Sequence, residues 1–141
     1  PNDDYALGFG YTRTESYDGT TCDNPDSTAG PGSAACIDEM NVRVPRHQLN
    51  LIGTKIFNKN LSQTIKIKYV GERRDYGNTN NNFEDVILSN YVVADLVTNY
   101  KLYDTYNLNI SAKNILDARY SEAYEYKAPG RSINFMLKKN Y

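Results

Sequence analysis

Apolar and polar residues alternate with a period of two in six stretches of this chain, and that period is the signature of a β-strand with two unlike faces. In YALGFGYTRT, residues 5–14, Tyr5, Leu7, Phe9 and Tyr11 share one face, and Ala6, Gly8, Gly10 and Thr12 share the other. HQLNLIGTKIF, 47–57, sets Leu49 and Leu51 against Gln48 and Asn50. QTIKIKYVGER, 63–73, sets Ile65, Ile67 and Tyr69 against Thr64, Lys66 and Lys68. LSNYVVADLVTNY, 88–100, alternates Val92, Ala94, Leu96 and Tyr100 with Val93, Asp95, Val97 and Asn99. YNLNISAKN, 106–114, places Leu108, Ile110 and Ala112 against Asn107, Asn109, Ser111 and Lys113. The last stretch, GRSINFMLKKNY, carries Ile133, Phe135, Leu137 and Tyr141 at alternate positions, with Lys139 as the exception. No stretch sustains a helical period.

The connections alternate as well. NKNL at 58–61 and KLYDT at 101–105 are short, as in tight hairpins. The stretches 15–46, 74–87 and 117–129 are longer and rich in Gly, Pro, Asn and Asp. Antiparallel neighbours then collect the short turns at one end and the long loops at the other. Two architectures fit this meander. One is a soluble sandwich or small barrel, whose apolar face is a core. The other is the wall of a membrane β-barrel, whose apolar face meets lipid. Lys66, Lys68, Lys113 and Asp95 lie opposite the apolar face in both. Aromatics at strand ends (Tyr5, Tyr11, Phe57, Tyr69, Tyr100, Tyr106 and Tyr141) favour the barrel, where they form girdles at the two interfaces.

Composition narrows this further. The length of 141 residues suits one domain, and the net charge of −1 gives no basic field for nucleic acid. There are 13 Tyr and no Trp, so the girdle chemistry falls to Tyr. The longest apolar run, Tyr91 to Val97, is broken by Asp95 and is far short of the roughly 20 residues of a membrane helix. That excludes a helical span and leaves a strand span open. The chain begins at Pro1, without Met, and is expected to be a piece of a longer one. His47 is the only His and follows Pro45 and Arg46 at a strand entry, which suits a structural role. Ser62 and Ser111 stand in strand contexts, and no nucleophile signature accompanies the His, so no catalytic residues are expected.

Two blocks carry a resemblance to a known family. VPRHQLNLIG, 44–53, enters a strand from a long loop, and NILDARYSEAYEYKAPGRS, 114–132, precedes the last strand. Over 47–141 the chain resembles the carboxyl-terminal end of TonB-dependent outer-membrane receptors, closest to the vitamin B12 and siderophore receptor branch. The matching positions are Asn114, Ile115, Leu116, Asp117 and Tyr120, then Tyr124 and Tyr126, then Pro129, Gly130 and Arg131, then the final aromatic Tyr141. The resemblance implies an all-β, antiparallel up-and-down meander of about six strands. It would be the C-terminal portion of a 22-stranded transmembrane β-barrel, with residues 1–141 one partial barrel and the plug domain absent. It places the chain in the Gram-negative outer membrane, against lipid, with short turns toward the periplasm and long loops outward. Ile133, Phe135, Leu137 and Tyr141 would form the signal read by the barrel assembly machinery. The intact protein would import a metal chelate (a siderophore) or cobalamin, coupled to the TonB complex through the plug, and would not be an enzyme. A passive porin-type barrel shares the alternation, and a soluble sandwich module would fold alone.

The same resemblance turns the long loops outward and sets readings for their residues. Arg73, Arg74, Tyr76, Tyr120, Tyr124 and Tyr126 lie at loop bases, where Tyr and Arg are good recognition residues, and equally good loop packing. Cys22 and Cys36 sit in the longest loop, where they pin it as a disulfide or stand as free thiols. That loop also holds Asp18, Asp23, Asp26, Asp38 and Glu39, with no Lys or Arg from 14 to 42. Calcium over residues 16–41 and a solvated acidic loop are both open readings, and the spacing matches no DxDxDG loop. No cofactor and no other metal site is expected.

Overall fold

The structure is a computed structural model and describes residues 4–18, 39–78, 84–103 and 105–139. In chain order the strands are β1 (Tyr5–Arg13), β2 (Tyr17–Asp18), β3 (Glu39–Met40), β4 (His47–Asn58), β5 (Leu61–Val70) and β6 (Arg73–Asp75). They continue as β7 (Val86–Leu88), β8 (Tyr91–Leu102), β9 (Tyr106–Lys113), β10 (Ser121–Ala123), β11 (Tyr126–Lys127) and β12 (Ser132–Lys139). Six of them form one antiparallel sheet in the order β1-β4-β5-β8-β9-β12. The remaining six pair as β2-β3, β6-β7 and β10-β11, small hairpins inside the three long connections. The meander of six strands expected from the alternation is therefore present, with every long loop at one end.

Cross-strand register shows why the alternation matters. Leu7, Gly53, Ile65, Leu96, Ala112 and Ile133 stand in one row across the six strands. The adjacent row holds Gly8, Ile52, Lys66 and Asp95. Successive residues of a strand point to opposite faces, so the sheet has one mainly apolar and one mainly polar face. The polar face is knitted by side-chain bonds. Thr54 and Thr64 hydroxyls meet at 2.9 Å, and Asn109 Nδ2 donates to Asn99 Oδ1 at 2.7 Å. Gly8 is Gly because a Cβ there would meet Ile52 Cγ2 at 2.6 Å.

Among the described residues the apolar face has no second layer. Among the described residues only Val70, Leu88 and Ala94 are buried apolar side chains, whereas Leu7 is 90% and Phe135 72% exposed. A soluble sandwich needs two sheets packed face to face over a core, and the described residues form one six-stranded sheet with three two-stranded hairpins in its long connections. Long strands such as β4 and β8, each 12 residues, also exceed the roughly 9–11 that a tilted membrane strand needs. Tyr11 and Tyr69 sit on the apolar face near the long loops, and Tyr5, Phe57, Tyr100 and Tyr106 near the short turns. Lys55 stands among them with its ammonium 5.1 Å from the Tyr5 ring and 4.7 Å from the Phe57 ring. Lys139, the exception in the last strand, lies 5.9 Å over Tyr106. A cation at the edge of an apolar band is stabilised when its stem lies on that band and its head reaches an aromatic face.

Strand ends differ from the pattern in three places. The stretch 63–73 leaves the sheet at Val70, because Gly71 closes it: its N–H donates to His47 O at 2.8 Å, where a Cβ would lie 3.0 Å from that oxygen. Residues 73–75 then form β6 instead. The stretch 88–100 begins at Tyr91, and Leu88 belongs to β7. Lys101 and Leu102, read as part of a turn, extend β8, since Leu102 pairs with Tyr106 and Lys101 N donates to Asn60 O. Alternation marks faces but not the residue where a pairing partner runs out.

Candidate functional site: the rim at the long-loop end

Three connections meet at this end, and two polar junctions, each around a buried polar side chain, organise them. The first gathers the 114–131 motif. Asn114 adopts φ 49°, a left-handed conformation that Asn tolerates better than most residues. Its N–H donates to Asp95 Oδ1 at 2.9 Å, its Oδ1 accepts from Ala118 N at 2.9 Å, and its Nδ2 donates to Ala118 O at 2.9 Å and to Pro129 O at 3.4 Å. Asp117, at φ 53°, accepts from Arg131 N at 3.1 Å. Gly130 lies against the same carboxylate, where a Cβ would be 3.4 Å from Asp117 Oδ1. Asn114, Asp117, Pro129, Gly130 and Arg131 thus form one junction that turns the chain out of β9 and back into β12. Ile133, Phe135 and Leu137 follow on the apolar face of β12. Tyr141 lies outside the described residues.

The second junction centres on Asp75, which is fully buried. Its Oδ1 accepts from Arg43 Nε at 2.8 Å and from Tyr76 N at 2.9 Å, and its Oδ2 accepts from Tyr124 N at 2.6 Å. Burial alone would push this carboxyl up. The Tyr124 N–H, the Arg43 guanidinium and the Tyr76 N–H together outweigh burial and hold it below its ordinary value. Arg73, 5% exposed, donates from Nη2 to Ser121 O at 2.5 Å and lies 5.4 Å over the Tyr91 ring. Tyr91 stacks in turn on Tyr120 at 3.9 Å. Burial, then the charge of Glu122, raises the Tyr120 hydroxyl above its ordinary value.

These contacts sort the recognition candidates. Arg73 and Tyr120 are used in packing between loops. Arg74 is mostly buried and pairs with Asp85 at 3.3 Å. Tyr124 is half-buried, with its backbone bound to Asp75. Tyr76 and Tyr126 stay open to solvent, at 55% and 75% exposure. His47 bonds Tyr11 Oη through Nδ1 at 2.8 Å at the start of β4, a structural contact. A cleft of about 590 Å³ at this rim is lined by Arg46, His47, Tyr69, Arg74, Ile87 and Asn90. Cys22, Cys36 and the acidic residues 23, 26 and 38 lie outside the described residues. Among the described residues no group of three His, Cys, Asp or Glu is placed to hold a metal ion. Sequence reading singled out Arg73, Arg74 and Tyr76 but passed over Asp75 between them. The one signal was an acid set between two arginines and a Tyr-Gly turn.

An open antiparallel sheet with an uncovered apolar face, a polar face and knitted loops at one end has the architecture of a membrane β-barrel wall. Comparison with known proteins bears this out for the fold. The chain superposes on the ferric-catecholate import receptor Fiu of E. coli K12 with a TM-score of 0.74 and 16% identity, over 99% of this chain and 19% of that one. The siderophore receptor PirA of Acinetobacter baumannii gives 0.71 and 17% identity, over 99% of this chain and 20% of PirA. The ferripyoverdine receptor of Pseudomonas aeruginosa gives 0.68 and 17% identity, over 96% and 17%. The chain spans at most about a fifth of the length of these receptors. No family model matches it, and neither does any curated protein.

Proposed function

We propose that this chain is the carboxyl-terminal part of the barrel of a TonB-dependent receptor that imports an iron chelate across the Gram-negative outer membrane. The observation that carries the reading is the uncovered apolar face, in register across six strands, backed by a polar face bearing Lys66, Lys68, Lys113 and Asp95. Such a sheet is at equilibrium only with lipid on one side and a polar lumen on the other. Likeness to receptors for ferric catecholates and ferripyoverdine supports an iron chelate as the ligand. The remaining strands of a 22-stranded wall, a plug and TonB coupling belong to the rest of such a receptor. Cobalamin stays the second ligand class of this branch. Function here is binding and conformational release, without bond chemistry. Ile133, Phe135 and Leu137 serve assembly, and Tyr76 and Tyr126 offer the open rings of the rim.

The test uses the full-length protein in a host deprived of its own iron receptors. Uptake of radiolabelled ferric catecholate, ferric hydroxamate and cobalamin is measured with and without a protonophore. Uptake of an iron chelate that collapses with the protonophore supports the proposal. Uptake that survives it points to a passive pore, and uptake of cobalamin alone moves the ligand to the other class.

A further inference from the structure

Two segments distant in sequence, and the residue that follows Asp75, reach one carboxylate. Arg43 lies in the connection before β4, Tyr76 follows β6, and Tyr124 sits in the β10–β11 turn. All three donate to Asp75. The donors occupy both oxygens, so the site needs a group that only accepts. An ionised carboxylate is such a group, and a buried one is held by the sum of its donors. Further ties run along the same lines. Arg43 N donates to Arg74 O at 2.7 Å although Arg43 sits at φ 63°, where a non-Gly backbone needs such support. Arg73 adds its bond to Ser121 O.

We propose that Asp75 is a positioning residue that couples residues 41–46, residues 73–78 and the β10–β11 hairpin into one body that opens as a unit. Tyr76 and Tyr124 then take their backbone positions from the same side chain. The rim is preformed, and a contact made on one loop is felt by the other two. This coupling goes beyond the receptor reading and needs no ligand, so it stands or fails separately.

Amide hydrogen exchange tests it, on the full-length protein in lipid nanodiscs at neutral pH with no ligand added. In Asp75→Asn either amide orientation sets an NH2 group against an N–H donor. Exchange over 41–46, 73–78 and 120–127 is expected to accelerate together by about ten-fold or more, the size of a lost charge-assisted bond. The 58–61 turn stays unchanged. Arg43→Gln keeps the carboxylate and its backbone donors. It is the second variant, and it alone decides if Asp75→Asn fails to assemble. Its expected result is faster exchange at 120–127 as well as at 41–46. Acceleration confined to the mutated segment, with 120–127 unchanged in Arg43→Gln, overturns the proposal.

Discussion

The two ends of the sheet are held together by different means. At the short-turn end, β4 passes to β5 through Lys59 and Asn60, and Asn58 Oδ1 accepts from Asn60 N at 2.8 Å and Leu61 N at 3.0 Å. Those partners lie two and three residues away, the pattern of an Asx turn. At the long-loop end Asp75 binds Arg43, 32 positions away, and Tyr124, 49 positions away. One end is closed by chain locality, the other by charge burial. Local closure loses little entropy and is worth little. The rim orders long connections and needs bonds that are expensive to lose. Its polar groups are the buried ones: Arg73, Asp75 and Asn114.

Mutations at each end measure that difference. The largest effect belongs to Asp75→Ala, which leaves two backbone donors and Arg43 without their acceptor. Opening of the rim should become easier by on the order of 3 kcal/mol, read from exchange at 120–127. Equal exchange in mutant and wild type would erase the contrast between the ends. Asn114→Ala comes next, at about 2 kcal/mol, from the left-handed backbone and the lost amide bonds. Asn114→Gly relieves only the backbone part, so thermal unfolding of the full-length protein should rank wild type above Gly and Gly above Ala. Asn58→Ala should cost about 1 kcal/mol or less and change exchange only over 58–61. An effect at the rim would show that the two ends are not independent.

The smallest effect at neutral pH is that of pH itself. Asp75 is held below its ordinary value of 3.8, so its stabilisation is fully present above that value. It is lost as pH falls from 3.8 through the lower folded value, when the carboxyl takes a proton. The difference in rim opening between wild type and Asp75→Asn should therefore be constant from pH 5 to 8 and shrink below about pH 4. A difference that shrinks between pH 5 and 7 would assign the coupling to another group.

Much of this architecture is legible without coordinates. Leu7, Ile65, Leu96 and Ile133 can be assigned to one face by counting in twos, because pleating is a local property of an extended chain. The turn at Asn58 is equally local. The Asn114 to Arg131 block is visible as a motif, and the structure turns it into a hydrogen-bonded junction around two left-handed residues. Arg73 and Tyr120 looked as available for recognition as Tyr76 and Tyr126. Only packing separated them, because exposure at a loop base depends on which other loop lies above it.

The amino-acid sequence by itself determined six strands, their two faces and the end at which each loop lies, since each follows from neighbours one or two residues apart. Tertiary structure alone decided that Asp75 and Arg73 hold the rim beside the Asn114 to Arg131 block. Asp75 has no periodic partner and no motif. Its role arises where segments 32 and 49 positions away supply two donors, and the next residue a third, to a carboxylate fully buried from solvent.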